Sequence, residues 1–285
     1  MQAQGVPVFY CDHNFIVTAL QEPEHYKDHL RQLVANGVVM FVLSPSHWIE
    51  AAEDDDAARA TAKADFMDSL RPRWLYERRA VQRKEVADAF FRFANIPADG
   101  PQMIGAVSDV IADLAGQPAH RDSRAFVAHL RGIGGEHPLE QSLRQAFETN
   151  QANTNHFRAG RLTPDLIQRT ESLYIRQLLP TQTPAGVVID ADTKNRFLNS
   201  CQQTDFPSLT LEARATHDNW NEGRQLNRNN FMDQQHLIAL PYVEFFITDD
   251  LRLRGLIARI SAGLPFQVAA LLTRADFDLR FPPNP

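Results

Sequence analysis

The sequence predicts a three-layer α/β protein, in which helices cover both faces of a mostly parallel β-sheet. Three short apolar runs, residues 8–11, 38–43 and 245–248, predict buried strands. Each run is continuously apolar rather than alternating, which is typical of strands that are covered on both faces. Helical patterns separate the runs, and this alternation favours a mostly parallel sheet of about four to five strands.

Local signals support these elements in chain order. Pro7 precedes the first run, where proline is tolerated at the start of a strand. Residues 22–36 read as a helix that ends at Asn36-Gly37, a C-terminal stop signal. Ser44-Pro45 predicts an N-cap followed by proline at the first helical position. Residues 229–240 predict a helix closed by Pro241, and residues 266–271 are a fourth candidate strand.

The middle of the chain, residues 61–224, differs from both ends. It is rich in Ala, Leu, Arg, Gln and Phe with helical spacing, and it has few β-branched runs. We therefore predict a split α/β core formed by residues 1–60 and 225–285. The middle block is then a large helical insertion or an elaborated helical part of the core. It could serve as a surface for a homo-oligomer or another protein partner.

The overall composition excludes several classes of protein. The chain has 285 residues, of which 44% are hydrophobic and 22% charged, so it is neither collagen-like nor disordered. No apolar run approaches the ~20 residues that cross a bilayer, and the start lacks the pattern of a signal peptide. Two cysteines 190 positions apart suggest neither a disulfide framework nor a metal cluster. We therefore expect a cytoplasmic protein without a membrane partner.

Charge is unevenly distributed along the chain. The formal net charge is -6, yet residues 71–84 hold six basic residues against one Glu. The basic residues of this stretch include Arg71, Arg73, Arg78 and Arg79. Together with its two aromatic residues, Trp74 and Tyr76, the stretch could be a helix that lines a groove for single-stranded nucleic acid. Alternatively, it could be an amphipathic helix with both rings in the core and its arginines solvated or paired with acids.

Acidic residues lie near the ends of the predicted strands. Asp12 follows the first strand, Glu50 lies on the helix after the second, Asp233 precedes the third, and Asp249-Asp250 follow it. Because the carboxyl ends of parallel strands face one crevice, these carboxylates could converge there. Converging carboxylates repel and need a proton or a cation. An all-oxygen cluster suits Mg²⁺ or Mn²⁺, although each acid alone could equally be a turn or capping residue.

Three segments, VFYCDHN, SPSHWIEAAE and NNFMDQQHLIALPYVEFFITDDLRLRGL, resemble the PIN (PilT N-terminus) domain of metal-dependent nucleases. The last segment is the most specific, with an Asp-containing helix, a short link, an apolar strand and then Thr248-Asp249-Asp250. The resemblance implies a Rossmann-like fold and a divalent-metal-dependent endonuclease that usually cuts single-stranded RNA. It assigns Asp12, Glu50, Asp233 and Asp250 to metal binding and catalysis, with Asp249 as a further ligand.

Residues near these acids could have accessory roles. Thr248 would hold the turn or contact phosphate, and Asn14 would support the site or form a turn. His236, three residues after Asp233, could orient the carboxylate, contact substrate or pack in the core. Glu53 could replace Glu50 as the acid of its helix. The arginines of residues 71–84 would add affinity for the RNA backbone.

Three other functions stay open. Residues 187–193, VVIDADT, have spacing similar to the first motif of haloacid dehalogenase-type phosphatases, with Asp190 as nucleophile and Asp192 as general acid. However, the Thr comes one place early for that pattern, and the segment also fits a helix N-cap. The second possibility is a PIN-like module that binds RNA or protein without catalysis. The third is a deoxyribonuclease with the same chemistry.

Overall fold

A six-stranded sheet runs through the centre of the computed structural model. The structure describes residues 5–97, 99–115, 121–133, 137–159, 172–186, 188–222 and 227–283. The strands are β1 (Val8–Cys11), β2 (Met40–Leu43), β3 (Arg73–Leu75), β4 (Ile104–Gly105), β5 (Phe245–Ile247) and β6 (Ala270–Leu272). Their spatial order is β4-β3-β2-β1-β5-β6, and every pair is parallel except β3 with β4. The fold class is therefore α/β with a mostly parallel sheet, as predicted.

Helices connect the strands and cover the sheet. The first seven are α1 (His13–Gln21), α2 (Glu24–Ala35), α3 (Pro45–Ala52), α4 (Ala57–Ser69), α5 (Arg78–Phe93), α6 (Val107–Ala115) and α7 (Ser123–Ile133). The next six are α8 (Pro138–Arg158), α9 (Ala191–Ser200), α10 (Pro207–Asn221), α11 (Arg228–His236), α12 (Leu251–Ser261) and α13 (Arg274–Arg280). Residues 172–178 are also helical.

The sheet is buried on both faces, and alternate residues of β1 show this directly. Phe9 and Cys11 belong to one apolar cluster, which includes side chains from α1 to α4, α7 and α13. Val8 and Tyr10 belong to a second cluster, which includes side chains from α10 and α12. Because successive side chains of a strand point to opposite faces, the two clusters are the two interfaces of a three-layer architecture.

The strand order reverses beside β1. From β1 the chain builds outward through β2 and β3, and it later returns to place β5 and then β6 on the other side. In parallel α/β sheets, such a reversal opens a crevice outside the carboxyl ends of the strands, and ligands bind there. The residues that directly follow β1 and β5 therefore occupy the place where this fold most readily forms a site.

Two strands lie within residues 61–224, the block predicted to be a helical insertion or an elaborated helical part of the core. Both β3 and β4 come from this block, so the sheet has six strands rather than four to five. The basic stretch is not one helix either, because residues 73–75 form β3 before α5 begins at Arg78. Strands of two or three residues are too short to show a period, which explains why the pattern missed them.

The rest of the block has an apolar cluster of its own. Val86 and Phe90 of α5 pack with Phe197 of α9 and with Phe206 just before α10. The rings of Phe90 and Phe197 meet edge to face with centroids 5.3 Å apart. Part of residues 61–224 is thus built into the sheet, and part packs around this third cluster.

Other predictions concern membranes and cysteines. None of the helices in the described ranges is long and apolar enough to cross a membrane. Cys11 and Cys201 are both unpaired thiols, in agreement with the absence of a predicted disulfide.

Candidate active site

Asp12 lies at the switch point of the sheet and is nearly inaccessible to solvent. Its backbone N–H donates to the carbonyl of Ile247 at 3.1 Å, which ties the end of β1 to β5. The Thr248 hydroxyl donates to Asp12 Oδ2 at 2.6 Å, and the backbone N–H of Phe15 donates to Oδ1 at 2.9 Å. Burial raises the pKa of Asp12, although both hydrogen bonds favour the ionised form. Asp12 thus combines a helix-capping role with a buried position beside β5.

The two aspartates after β5 point to different partners. Asp250 caps α12 by accepting from the backbone N–H of Leu253 at 2.9 Å, and its own N–H donates to Thr248 Oγ1 at 3.1 Å. Asp249 is exposed and accepts from the backbone N–H of Arg274 at 3.0 Å, at the start of α13. Asp250 is therefore the residue connected to Asp12 through the Thr248 hydroxyl.

Glu50 projects from α3 between two imidazoles. Its Oε2 lies 3.4 Å from His236 Nε2 and 3.8 Å from His13 Nδ1. Burial alone would raise the pKa of Glu50, but the neighbouring histidines, His236 first, lower it to about 2. Burial alone would lower the pKa of His236, but the charge of Glu50 raises it. Both Glu50 Oε2 and His13 Nδ1 are buried without a hydrogen bond to any described residue, so this pair of polar atoms is poorly satisfied.

Asp233 on α11 completes the acidic group. It is paired with Arg252 of α12, which also contacts the Asn230 side chain. Burial raises the pKa of Asp233, the Arg252 guanidinium opposes this rise, and the charges of Asp250 and Glu50 add to it. Glu50 also raises the pKa of Asp12. Of the five acids predicted to converge, Glu50 therefore acts on both Asp12 and Asp233, and the Thr248 hydroxyl joins Asp12 to Asp250, while Asp249 turns to another partner.

A buried chain of hydrogen bonds positions His236, the neighbour of Glu50. His236 Nδ1 lies 2.6 Å from the Tyr10 hydroxyl, which lies 2.7 Å from Ser44 Oγ. The Ser44 backbone N–H donates to His47 Nδ1 at 3.1 Å, and His47 Nε2 lies 2.9 Å from the carbonyl of Cys11. This network makes His47 Nδ1 an acceptor and Nε2 a donor. The chain joins β1, α3 and α11 and holds His236 toward Glu50.

Sequence reasoning missed most of this support. No role was predicted for His47, which is fully buried, and burial lowers its pKa to about 3. The signal that could have revealed it is the spacing Ser44-Pro45-Ser46-His47, since the side chain at the third helical position can return to the cap. The buried, hydrogen-bonded position of His236 matches one of its predicted alternatives.

Other candidate residues lie away from this group. Asn14 is exposed in the first turn of α1. Glu53 is at the end of α3, where it pairs with Arg228. Asp190 caps α9 by accepting from the Thr193 backbone N–H at 2.8 Å.

The phosphatase alternative finds no support in this geometry. Val188 is 73% exposed and forms only an isolated bridge with Gln182, while Val187 lies outside the described residues. In the described part of this segment, residues 188–190 are not a strand of the sheet. Asp190 therefore lacks the strand end that a nucleophile of that type requires.

The basic stretch divides into core and surface. Trp74 is 1% exposed and stacks on Trp48 with centroids 4.0 Å apart, so it belongs to the core and cannot stack on bases. The Arg78 side chain is largely buried and forms an ion pair with Glu212. Arg71 and Arg73 are exposed at the beginning of β3, away from the end of the strand that faces the site. Arg79 is exposed in the first turn of α5, and α5 begins just after the carboxyl end of β3.

A cavity of about 380 Å³ is lined by residues other than the four acids. Its lining residues are contributed by α5, α8, α10 and the helical residues 172–178, and they include Arg78, Arg79, Tyr174, Glu212 and Trp220. A small crevice also lined by Arg78 reaches Ile49 and Gln235, the sequence neighbours of Glu50 and His236.

The acidic group does not form a ready-made metal centre. Within the described part of the chain, no three His, Cys, Asp or Glu side chains are arranged to hold a metal ion. Each of the four acids already has a protein partner, Thr248 for Asp12, His236 for Glu50, Arg252 for Asp233 and the α12 N-terminus for Asp250. Comparison of the chain with protein-family models, with curated proteins and with solved structures finds no match.

Proposed function

We propose that this protein is a PIN-like, divalent-metal-dependent endonuclease that hydrolyses single-stranded RNA. The observation that carries the proposal is the Thr248 hydroxyl at the switch point of the parallel sheet, which bonds the Asp12 carboxylate and the Asp250 backbone N–H, while Glu50 acts on the pKa of both Asp12 and Asp233. These acids come from four separate elements, in the order in which the PIN resemblance expects them. A buried acidic group at this place in the fold costs free energy, which a ligand could offset.

The donor chemistry fits Mg²⁺ or Mn²⁺. All four side chains offer carboxylate oxygens, which hard divalent cations prefer, and Glu50 Oε2 makes no hydrogen bond to a described residue. Asp12, Glu50, Asp233 and Asp250 would hold the ion, and Asp233 would first have to separate from Arg252. When bound, such an ion polarises a phosphate oxygen and lowers the pKa of a water molecule.

The chain's own residues would position the reacting groups. Thr248 fixes the Asp12 carboxylate, and the chain from His236 to His47 fixes Glu50. Arg252, whose side chain is 45% exposed, could leave its ion pair with Asp233 and pair with a phosphate of the substrate instead. Exposed Arg79 would add affinity for the backbone, so binding should weaken with salt.

The direct test is cleavage of a labelled single-stranded RNA with Mg²⁺, with Mn²⁺ and with chelator. We expect metal-dependent cleavage that is lost in Asp12→Asn and in Asp233→Asn. Asp190→Asn is the matched control, because Asp190 is a capping aspartate outside the acidic group and the nucleophile of the phosphatase alternative. Cleavage that persists with chelator, or in Asp12→Asn purified in the same way, would contradict the proposal.

A non-catalytic PIN-like module is the second candidate, and one observation favours it. The four acids are engaged by protein partners, and in the described ranges no ready-made metal group exists. In that case the wild type would bind RNA without cutting it under any metal condition. A single-stranded DNA of matched sequence, tested in parallel, separates a ribonuclease from a deoxyribonuclease.

A further inference from the structure

The cavity lined by Arg78, Tyr174 and Trp220 has the size and the chemistry of a small ligand site. Its volume of about 380 Å³ lies within the range of roughly 300–1,000 Å³ typical of small-molecule pockets. It is wide enough for one nucleotide unit but too small for a folded partner. The question is which chemical groups its walls are suited to recognise.

One wall is a buried polar network. Arg78 pairs with Glu212, whose second oxygen accepts from the Gln82 amide, and the Tyr174 hydroxyl donates to Gln82 Oε1 at 2.7 Å. The network fixes the Tyr174 ring at the cavity. However, Arg78 Nε is buried and has no hydrogen-bond partner among the described residues. A buried donor without a partner is costly, so a ligand with an acceptor at this wall would be stabilised.

The facing walls combine amides with aromatic rings. Asn150 and Asn153 of α8 line the cavity three positions apart, which places them on one face of the helix. Trp220 of α10 and Tyr174 supply ring surface. A side-chain amide both donates and accepts hydrogen bonds, as the edge of a nucleobase does, and aromatic rings stack on base faces. Exposed Arg79 lies at the same cavity and could pair with a phosphate.

Two small crevices connect lining residues of the cavity, or their chain neighbours, with residues at the acidic group. Arg78 is shared with the crevice that reaches the neighbours of Glu50 and His236. Asn219, next to Trp220, shares a second crevice with Asp233 and Arg252. A nucleotide held in the cavity would therefore leave its adjoining phosphate near the acids.

We propose that this cavity binds one nucleobase of the substrate strand, next to the phosphate that is cut. The inference rests on the proposed nuclease function and adds a specificity site to it. Asn150, Asn153 and Arg78 would read the base edge, and Trp220 and Tyr174 would stack on its face. The enzyme should then prefer one base beside the cleaved bond.

The test separates base binding from cleavage. Binding of a labelled single-stranded RNA decamer is measured in chelator by fluorescence anisotropy, and cleavage positions are mapped with Mn²⁺. We expect Asn153→Ala to weaken binding by about tenfold, the order expected for losing one or two hydrogen bonds to a base, and to relax the base preference. Asn155→Ala is the matched control, since Asn155 is an exposed residue of the same helix that does not line the cavity.

Each outcome distinguishes the two proposals. If the wild type cleaves and Asn153→Ala binds and cuts like Asn155→Ala, the base site is refuted and the nuclease survives. If Asn153→Ala weakens binding but the wild type never cleaves, base binding is supported and the nuclease fails. Free AMP, GMP, CMP and UMP form the third arm. If a free nucleotide binds as tightly as the decamer, the cavity is a site for a small effector, and the proposal that it binds a base of the substrate strand is refuted.

Discussion

The Thr248 hydroxyl connects the two strands at the switch point, and its removal gives a direct measure of that connection. Thr248 and Asp12 are 1% and 4% exposed. The hydroxyl donates to Asp12 at 2.6 Å and accepts from the Asp250 N–H at 3.1 Å. Thr248→Val keeps the shape of the side chain but loses both bonds. A hydrogen bond to a charged group contributes ~1.5–3 kcal/mol and a neutral one ~0.5–1.5 kcal/mol, so we expect a loss of about 2–4 kcal/mol.

The assay is urea unfolding at pH 7, followed by circular dichroism, with linear extrapolation to water. Thr248→Ser keeps the hydroxyl and removes one methyl group, so it should cost only ~0.8 kcal/mol. In an Asp12→Asn background the Thr248 hydroxyl no longer bonds to a charged group. Thr248→Val should therefore lower the free energy of unfolding by less in this background than in the wild type. The reasoning is refuted if Thr248→Val and Thr248→Ser are equally stable, or if the Asp12→Asn background leaves the cost of Thr248→Val unchanged.

Three other perturbations test separate parts of the structure. Trp74→Ala should lower the free energy of unfolding by about 3–5 kcal/mol, because it removes a buried ring from the core. An unchanged free energy of unfolding in urea would contradict the buried position of Trp74. Burial holds His47 neutral with a pKa of about 3, whereas the unfolded chain takes up this proton near its ordinary value of 6.5. His47 therefore lowers the free energy of unfolding as pH falls from about 6.5 towards 3, by up to ~1.36 kcal/mol per pH unit. When the unfolding free energy from urea titrations is plotted against pH over this range, His47→Gln should give a slope that is shallower by this amount. Arg252→Gln should lower the Mn²⁺ concentration for half-maximal cleavage, because it frees Asp233; an unchanged or higher concentration would mean that Arg252 does not compete with the metal.

The fold could be predicted where the chain carries strong local signals. β1 matches its predicted bounds because four apolar residues lie between Pro7 and Asp12, both of which mark a strand end. β2 begins two residues later than predicted, at Met40, since Val38 is apolar but 39% exposed. β3 could not be recognised, because its buried residues are two in number and its first residue, Arg73, is charged.

The candidate acids could be selected from local patterns, but their partners could not. The rule that strand ends of a parallel sheet converge pointed to Asp12, Glu50, Asp233 and Asp249-Asp250, and the PIN resemblance favoured Asp250 of the last two. The pairing of Asp233 with Arg252 depends on how α11 packs against α12, and no local pattern contains that information. The same limit applies to Tyr10, which reads as an apolar strand residue yet carries the hydroxyl that joins His236 to Ser44.

The central position of β1 has a consequence for the order of folding. Its neighbour β2 follows soon in the chain, but its other neighbour, β5, is far away, and the Asp12–Thr248 contact spans 236 positions. During synthesis from the N-terminus, β1 and β2 can pair early while the second edge of β1 stays open. An open strand edge is prone to association, and contacts across such a separation form slowly. The pairing of β5 with β1 therefore covers the open edge of the central strand and brings Thr248 to Asp12 in the same step, so protection of that edge and the contact at the switch point form together.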